Sequence, residues 1–251
     1  MASKPRLWAV GVWLLVWQGA SMALAAAYPH GGLLLASPVR VLVRLMELLP
    51  SAAFWQAVGN SSLRIFGGFL LSCVLAIPLA ALAAGSRWVR ELLAPLAAVV
   101  KAAPVASFII LALVWLDAGS LSLFISALMV FPPVYLNLLE GLRRTDPKLL
   151  ELARVYRIPF RRQLWGIYLP QALPYVRSAA SLALGLCWKA GAAAEVIGLP
   201  AGTIGERLYT AKVYLQTPDL FAWTVVILVL SALFEKVFLA VVDALAGKVG
   251  G

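Results

Sequence analysis

The sequence predicts an all-α polytopic membrane protein with about six transmembrane helices. Of its 251 residues, 63% are hydrophobic and 13% are charged, and the mean hydropathy is +0.92. A soluble domain usually contains about 25% charged residues, so a soluble fold is excluded. Apolar runs of about 20 residues are long enough to cross the roughly 30 Å hydrocarbon core of a bilayer. Such runs fall at residues 7–27, 65–85, 94–116, 121–139, 179–199 and 220–245.

The first apolar run has two interpretations. Ala23-Leu24-Ala25 offers a cleavage site like that of a signal peptide. The run over 7–27 is nevertheless long enough to span a bilayer, so we expect a retained first span. The segment that follows it contains an amphipathic pattern with helical spacing, which predicts a helix lying at the membrane surface. Its apolar positions are Val41, Leu42, Leu45, Leu48 and Leu49.

The segment over 140–177 is the only long polar stretch between two apolar runs. Asp146-Pro147 supplies an N-cap and a first-turn proline, which predict the start of a helix. Ile158-Pro159 predicts its end, because a residue before proline avoids the helical region. A second short helix is expected from Pro159 to about Leu169-Pro170, so the segment should form a basic helical hairpin. The first helix carries apolar side chains on one face, at Leu149, Leu152, Ala153 and Tyr156.

The distribution of basic residues predicts the orientation in the membrane. With both ends in the cytoplasm, the cytoplasmic segments carry thirteen Lys and Arg residues and the opposite segments carry five. This excess follows the positive-inside rule and places the 140–177 hairpin in the cytoplasm. The formal net charge of +10 therefore indicates topology, and we expect no nucleic-acid site.

Three charged residues inside or near the end of apolar runs are candidates for the transport pathway. Lys101, Lys189 and Glu195 each cost at least about 2.5 kcal/mol to insert, so each should face a partner or a water-filled path. In one interpretation, the two lysines give a cavity positive character suited to an anionic or strongly polar substrate, and Glu195 sets the outer gate. In the other, a lysine bonds Glu195 across helices and only stabilises the bundle. The residues favour neither.

The hairpin resembles the E-A-A…G…I-x-L-P loop of ABC-importer permeases. Glu151, Ala153, Ile167, Leu169 and Pro170 stand at the spacing of that motif, whereas Leu152 and Arg157 depart from it. Arginine in place of glycine costs roughly 1 kcal/mol or more in a left-handed turn, so Pro159 is expected to shape the turn instead. The resemblance implies a cytoplasmic coupling helix that docks on an ATPase subunit. The residues it assigns to coupling are Glu151, Leu152, Ala153, Tyr156, Arg157, Ile167, Leu169 and Pro170.

Other positions resemble the nitrate/sulfonate/taurine branch of these permeases. They include Ser62-Leu63-Arg64-Ile65, Gly67-Gly68-Phe69, Trp188 and Ala194-Glu195. The branch also has a basic residue followed three positions later by proline, as in Lys101 and Pro104, in a helix that lines the pathway. The resemblance thus implies that Lys101 and Pro104 belong to the translocation pathway, and the hypothesis from intramembrane charge adds Lys189 and Glu195. It also implies a small anionic or polar substrate, such as a sulfonate, nitrate, taurine or a thiamine precursor.

The resemblance further implies the type I importer arrangement in the bacterial inner membrane. In that arrangement a single permease domain over 1–251 pairs with a second copy, two ATPase subunits and an extracytoplasmic binding protein. The sequence has no G-x-x-x-x-G-K-[ST] run, so ATP should bind the partner and the chain should need no cofactor or metal. Two alternatives stay open, namely the transmembrane coupling component of an energy-coupling-factor vitamin importer and, more weakly, an intramembrane enzyme.

Overall fold

A computed structural model describes residues 7–249, and this part of the chain consists of helices and connecting loops without a strand. Residues 1–6 and 250–251 include both ends of the chain, so the expected cytoplasmic termini lie outside the described residues. The helices are α1 (Leu7–Ala27), α2 (Gly31–Leu34), α3 (Pro38–Leu48), α4 (Ala52–Gly85), α5 (Arg87–Ala102), α6 (Val105–Ala112), α7 (Ala118–Arg143), α8 (Pro147–Val155), α9 (Phe160–Gln163), a π-helical turn (Leu164–Tyr168), α10 (Leu169–Gly198), α11 (Ile204–Val213) and α12 (Thr217–Val249).

Five helices are long and apolar enough to cross a membrane, and the bent pair α5–α6 makes up to six. This confirms the predicted all-α fold with about six membrane helices. The ends of α4, α7 and α12 differ from the predicted runs, and α12 covers Thr217–Val249 rather than 220–245. α4 begins at Ala52 rather than near residue 65, and α7 extends from Ala118 to Arg143 rather than over 121–139. The hydropathy pattern predicted only the most apolar part of each helix, because the more polar residues next to it are helical as well.

The third predicted span is not a single helix, contrary to the prediction over 94–116. α5 ends at Ala102, α6 begins at Val105, and the two helices are bent by 104°. Pro104 explains the break, because the residue before a proline is driven into the extended region. Ala103 has φ −78° and ψ 144°, which is extended backbone.

The fifth predicted span also differs from the structure. We expected a separate short helix that ends near Leu169-Pro170 and a span that begins at 179. Instead, helix runs without interruption over Phe160–Gly198, through the π-helical turn and α10. Pro170 lies in α10 directly after the π-helical turn, so its missing N–H does not end the helix. The N–H of Leu169 bonds the carbonyl of Leu164, a π-type bond that joins the two parts.

The core is centred on α7, whose contacts with α4 and with α10 are the most extensive helix contacts in the fold. Glycines allow this close approach. A Cβ on Gly68 of α4 would lie 2.4 Å from the Leu123 carbonyl oxygen of α7. A Cβ on Gly191 of α10 would lie 2.5 Å from Ser126 Oγ of α7. Trp188 is buried beside these contacts, and its ring packs on Phe234 of α12.

α3 is the amphipathic helix that the sequence predicted after the first span. Ser37 caps its start by accepting a hydrogen bond from Arg40 N at 3.3 Å. Val41 is buried, and Arg44 bonds Asp219 at the start of α12. The opposite side of α3 exposes a second row of apolar side chains, Val39, Leu42, Val43 and Met46. Its location at the membrane surface stays a prediction.

Adjacent glycines in α4 provide a matched test of this packing. Alanine at Gly68 should destabilise the protein by about 1–3 kcal/mol, because the added methyl group meets the backbone of α7. Alanine at Gly67 should be neutral or slightly stabilising, since its Cβ would lie 3.7 Å from the nearest atom, Leu123 Cδ1. The measurement is the midpoint temperature at which each purified variant loses its monodisperse size-exclusion peak. Equal midpoints for the two variants would contradict the packing argument.

Candidate functional site

The predicted hairpin begins with a well-capped helix. Asp146 accepts a hydrogen bond from Lys148 N at 2.9 Å, and Pro147 occupies the first turn of α8. The N–H of Asp146 in turn donates to Gln171 Oε1 at 2.8 Å. This bond ties the start of α8 to the start of α10, so the two arms of the hairpin are joined at their base.

The turn after α8 has a different cause from the one that we predicted. Arg157 itself adopts the left-handed conformation, with φ 48°. The N–H of Ile158 donates to the Ala153 carbonyl at 2.8 Å, and the N–H of Arg157 donates to the Arg154 carbonyl at 3.1 Å. These two bonds form a Schellman motif, which requires a left-handed residue at Arg157. The expectation that Pro159 shapes the turn was therefore wrong.

Four of the eight predicted coupling residues are exposed on α8 or directly after it, namely Glu151, Leu152, Tyr156 and Arg157. Ala153 is fully buried, whereas Leu152 is 53% and Tyr156 is 73% exposed. Leu149 and Val155 are exposed as well. Glu151 is also exposed and forms no ion pair with Lys148 or Arg154 within the described chain. The hairpin thus presents apolar side chains and an unpaired carboxylate at the end of the bundle.

The other predicted coupling residues lie on the second arm. Ile167 is in the π-helical turn, and Leu169 and Pro170 open α10. All three are half-buried. They therefore lie within the long helix Phe160–Gly198 and not on the exposed face of α8.

A cavity of about 340 Å³ lies at the break between α5 and α6. It brings together the two predicted lysines, since Lys101 is in the last turn of α5 and Lys189 is on α10. Pro104 lies in the break itself, between Ala103 and Val105 of the cavity wall. Neither lysine has an acidic side chain within 4 Å in the described part of the chain. The remaining wall is apolar and includes Val100, Met129, Pro132, Pro133, Leu186, Ala190 and Ala193.

Glu195 is not beside these lysines. Its side chain is fully buried and does not line the cavity. Glu195 Oε2 accepts hydrogen bonds from Ser61 Oγ at 2.6 Å and from Gly205 N at 3.2 Å. The alternative in which Lys101 or Lys189 bonds Glu195 is therefore not present within the described chain. A role for Glu195 at the outer gate stays a prediction.

Three features around Glu195 were not predicted from the sequence. Ser61 gave no signal, because a serine in an apolar helix is common. Arg64, one turn further along α4, places a buried Nη1 without a hydrogen-bond partner in the described residues. α11 has a recognisable start, the capping box Thr203-Ile204-Gly205-Glu206, between the predicted runs at 179–199 and 220–245. Thr203 Oγ1 accepts from Glu206 N at 3.3 Å, and Glu206 Oε2 accepts from Gly202 N at 2.6 Å.

A comparison with protein families decides what kind of protein contains these sites. A family model described as "Binding-protein-dependent transport system inner membrane component" matches residues 76–251. The chain belongs to this family. It is an inner-membrane, multi-pass permease of the ABC importers, a family of transport subunits that are not themselves enzymes. The match assigns the chain to the permeases rather than to the vitamin-importer coupling components.

Curated relatives place the permease in the predicted branch. It is similar to the putative aliphatic sulfonates transport permease protein SsuC of Bacillus subtilis (strain 168), with 30% identity over 203 residues, 80% of this chain and 73% of that protein. The protein of the same name from Escherichia coli (strain K12) is 31% identical over 204 residues, 81% and 76% of the two chains. The taurine transport system permease protein TauC of Escherichia coli (strain K12) is 26% identical over 209 residues, 81% and 76%.

The left-handed arginine of the permease hairpin can be tested by substitution. Arg157→Gly should stabilise the end of α8 by up to about 1 kcal/mol, because glycine adopts this conformation without steric cost. The measurement is amide hydrogen exchange at Ile158, whose N–H bonds Ala153. Its exchange should slow by up to about fivefold.

Arg154→Gly is the matched control for this test. The same substitution inside α8 should destabilise the helix by about 1 kcal/mol and accelerate exchange of the Ile158 amide. Faster exchange in Arg157→Gly than in the wild type would show that the arginine side chain stabilises the turn by more than the backbone strain costs.

Proposed function

We propose that this permease forms the translocation pathway of an ABC importer and couples it mechanically to a partner ATPase. The observation that carries the proposal is the continuous helix Phe160–Gly198. It begins in the hairpin beside the exposed face of α8 and continues to Lys189 at the cavity. A helix transmits displacement along its length because its backbone is hydrogen-bonded from turn to turn, and here the helix stays continuous past the π-helical turn, Pro170 and Pro174. Movement of the hairpin would therefore reach the cavity wall directly.

The exposed face of α8 is the proposed docking surface for the ATPase. Leu149, Leu152, Val155 and Tyr156 leave apolar surface uncovered at the end of the bundle that we assign to the cytoplasm. Exposed apolar patches of this kind mark interaction sites. Members of the family work with ATPase and substrate-binding partners. ATP would bind the ATPase, and the permease itself would need neither a nucleotide site nor a cofactor.

The cavity is the proposed route of the substrate. In a membrane, irregular backbone is tolerated where it lines a water-filled space, and the break at Ala103-Pro104 lies in the cavity wall. Two lysines without acidic partners favour an anion, and the apolar remainder of the wall favours an organic substituent on it. The names of the relatives, which include aliphatic sulfonates and taurine, agree with this chemistry. We therefore propose a small sulfonate-like solute as the substrate.

We also propose the remaining parts of the importer. A second copy of the permease would complete the pathway, because the cavity is open on one side of the single chain. Both ends of the chain would lie in the cytoplasm, as the basic residues predict. The end of the bundle opposite the hairpin, here called the far end, would then face an extracytoplasmic binding protein. The loop between α10 and α11 lies at this end.

Charge reversal on α8 tests the coupling. Glu151→Lys should abolish co-purification of the ATPase and reduce transport by at least tenfold, while membrane insertion and expression stay normal. The physical reason is that an exposed, unpaired carboxylate on a docking face meets a complementary partner group. Glu91→Lys is the control, since Glu91 is an exposed glutamate of the proposed cytoplasmic end whose carboxylate pairs with Arg87. Transport at the wild-type rate in Glu151→Lys would contradict the assignment.

Neutralising the cavity tests the pathway. Lys189→Met and Lys101→Met keep side-chain length and remove the charge, so each should reduce sulfonate uptake about ten- to a hundredfold. ATPase binding should be unchanged in both. Lys236→Met is the control, because Lys236 is an exposed lysine of α12 that does not line the cavity. Normal uptake in both cavity variants would remove the lysines from the pathway.

A further inference from the structure

The far end of the permease contains a buried polar connection among three helices. Glu195 Oε2 of α10 accepts from Ser61 Oγ of α4 at 2.6 Å and from Gly205 N of α11 at 3.2 Å. Ser61 Oγ also accepts from Ile204 N at 2.9 Å. The first two amides of α11 are thus bonded to side chains of the other two helices. We call Ser61, Glu195, Ile204 and Gly205 the far-end latch.

The start of α11 is closely packed against α10 at the far-end latch. A Cβ on Gly205 would lie 2.2 Å from Glu195 Cβ and 2.5 Å from the Glu195 backbone carbon. Ser61, Glu195 and Ile204 are each fully buried. Another hydrogen bond lies beside these residues, from Asn60 Nδ2 of α4 to the Gly202 carbonyl at 2.9 Å. The start of α11 therefore sits directly on α10 and α4.

The latch shares α10 with the cavity. Leu186, Lys189, Ala190 and Ala193 line the cavity at the spacing of one helix face. Glu195 follows Ala193 by two residues, which places it on the opposite side of α10 and toward the far end. Any displacement of α11 that keeps the latch intact must therefore also displace the cavity-lining face of α10.

α11 is accessible from the far end. Tyr209, Lys212, Val213 and Tyr214 are exposed, although the start of the helix is buried. A partner that contacts the exposed part of α11 would thus act on a helix whose other end is hydrogen-bonded to α4 and α10.

We propose that Glu195 is a positioning residue that transmits engagement of the extracytoplasmic binding protein from α11 to the pathway-lining face of α10. This inference rests on the proposed function, since it needs that partner at the far end. Glu195 does not contact the substrate. Its carboxylate holds Ser61 and Gly205 in place, so that α4, α10 and α11 respond together.

The decisive experiment compares two buried serines of α4. Ser61→Ala removes the hydroxyl group that joins Glu195 to Ile204. Ser72→Ala is the matched control, because Ser72 is 1% exposed and its hydroxyl has no hydrogen-bond partner in the described chain. Each variant is assembled with its ATPase in lipid nanodiscs. Hydrogen exchange of the 200–207 peptide is measured, together with ATP hydrolysis with and without the binding protein.

The expected result is specific to the latch. Ser61→Ala should accelerate exchange of the Ile204 and Gly205 amides at least tenfold and reduce stimulation by the binding protein severalfold. Hydrolysis without the binding protein should be unchanged, a separation that a merely structural role would not produce. Ser72→Ala should match the wild type in every measurement. Glu195→Gln, which keeps an acceptor oxygen, should retain most of the stimulation.

Other outcomes would overturn the inference. Wild-type stimulation in Ser61→Ala despite faster exchange would show that the latch does not transmit engagement. Unchanged exchange would show that these bonds do not hold α11. If Ser61→Ala fails to assemble, Asn60→Ala releases the same loop from a half-buried position and must reduce stimulation in its place. A wild-type complex that the binding protein does not stimulate would instead contradict the proposed function itself.

Discussion

The close approach of α4, α7 and α10 is the constraint on which the rest of the permease depends. Lipid tails are as apolar as leucine, so apolar burial alone gives helices little reason to associate in a bilayer. Packing and polar contacts must supply the attraction. Gly68 lets α4 contact the backbone of α7, and Gly191 lets α10 contact the side chains of Ser126 on α7 and Ile65 on α4. Phe69, Leu184 and Trp188 then fill the core around these contacts. The hairpin, cavity and far-end loop are all placed relative to this frame.

Two membrane segments of the permease differ in the continuity of their helices. The helix Phe160–Gly198 is continuous, and it joins the hairpin to the cavity and to the far end. The α5–α6 pair is broken by 104°, and the break exposes irregular backbone and Lys101 to the cavity. A continuous helix transmits movement, whereas a broken one creates a polar site inside an apolar layer. In the proposed function, the continuous helix couples the hairpin to the cavity, and the broken pair supplies part of the cavity wall.

α10 carries polar bonds to several neighbours in addition to its apolar packing. Toward the hairpin, Arg177 bonds Asp243 of α12 at 2.7 Å, and Ser181 bonds Glu235 of α12 at 2.5 Å. Toward the far end, Glu195 bonds Ser61 of α4. Only the cavity face of α10 keeps its charged group, Lys189, without an acidic partner in the described chain. Polar groups are costly in a membrane, so the faces of α10 whose polar groups are paired serve packing between helices. The face that carries Lys189 is the one open to a solute.

The sequence by itself determined the features that depend on neighbouring residues. These include the fold class, the number of membrane helices, the capped start of α8 and the family motif around Glu151. Tertiary structure decided the features that depend on contacts between distant residues. The partner of Glu195 proved to be Ser61, 134 residues away, rather than a lysine. The 104° break and the left-handed Arg157 also required coordinates, because proline and arginine each permit more than one local conformation. Helical periodicity and capping are local, whereas the packing that selects among these conformations is not.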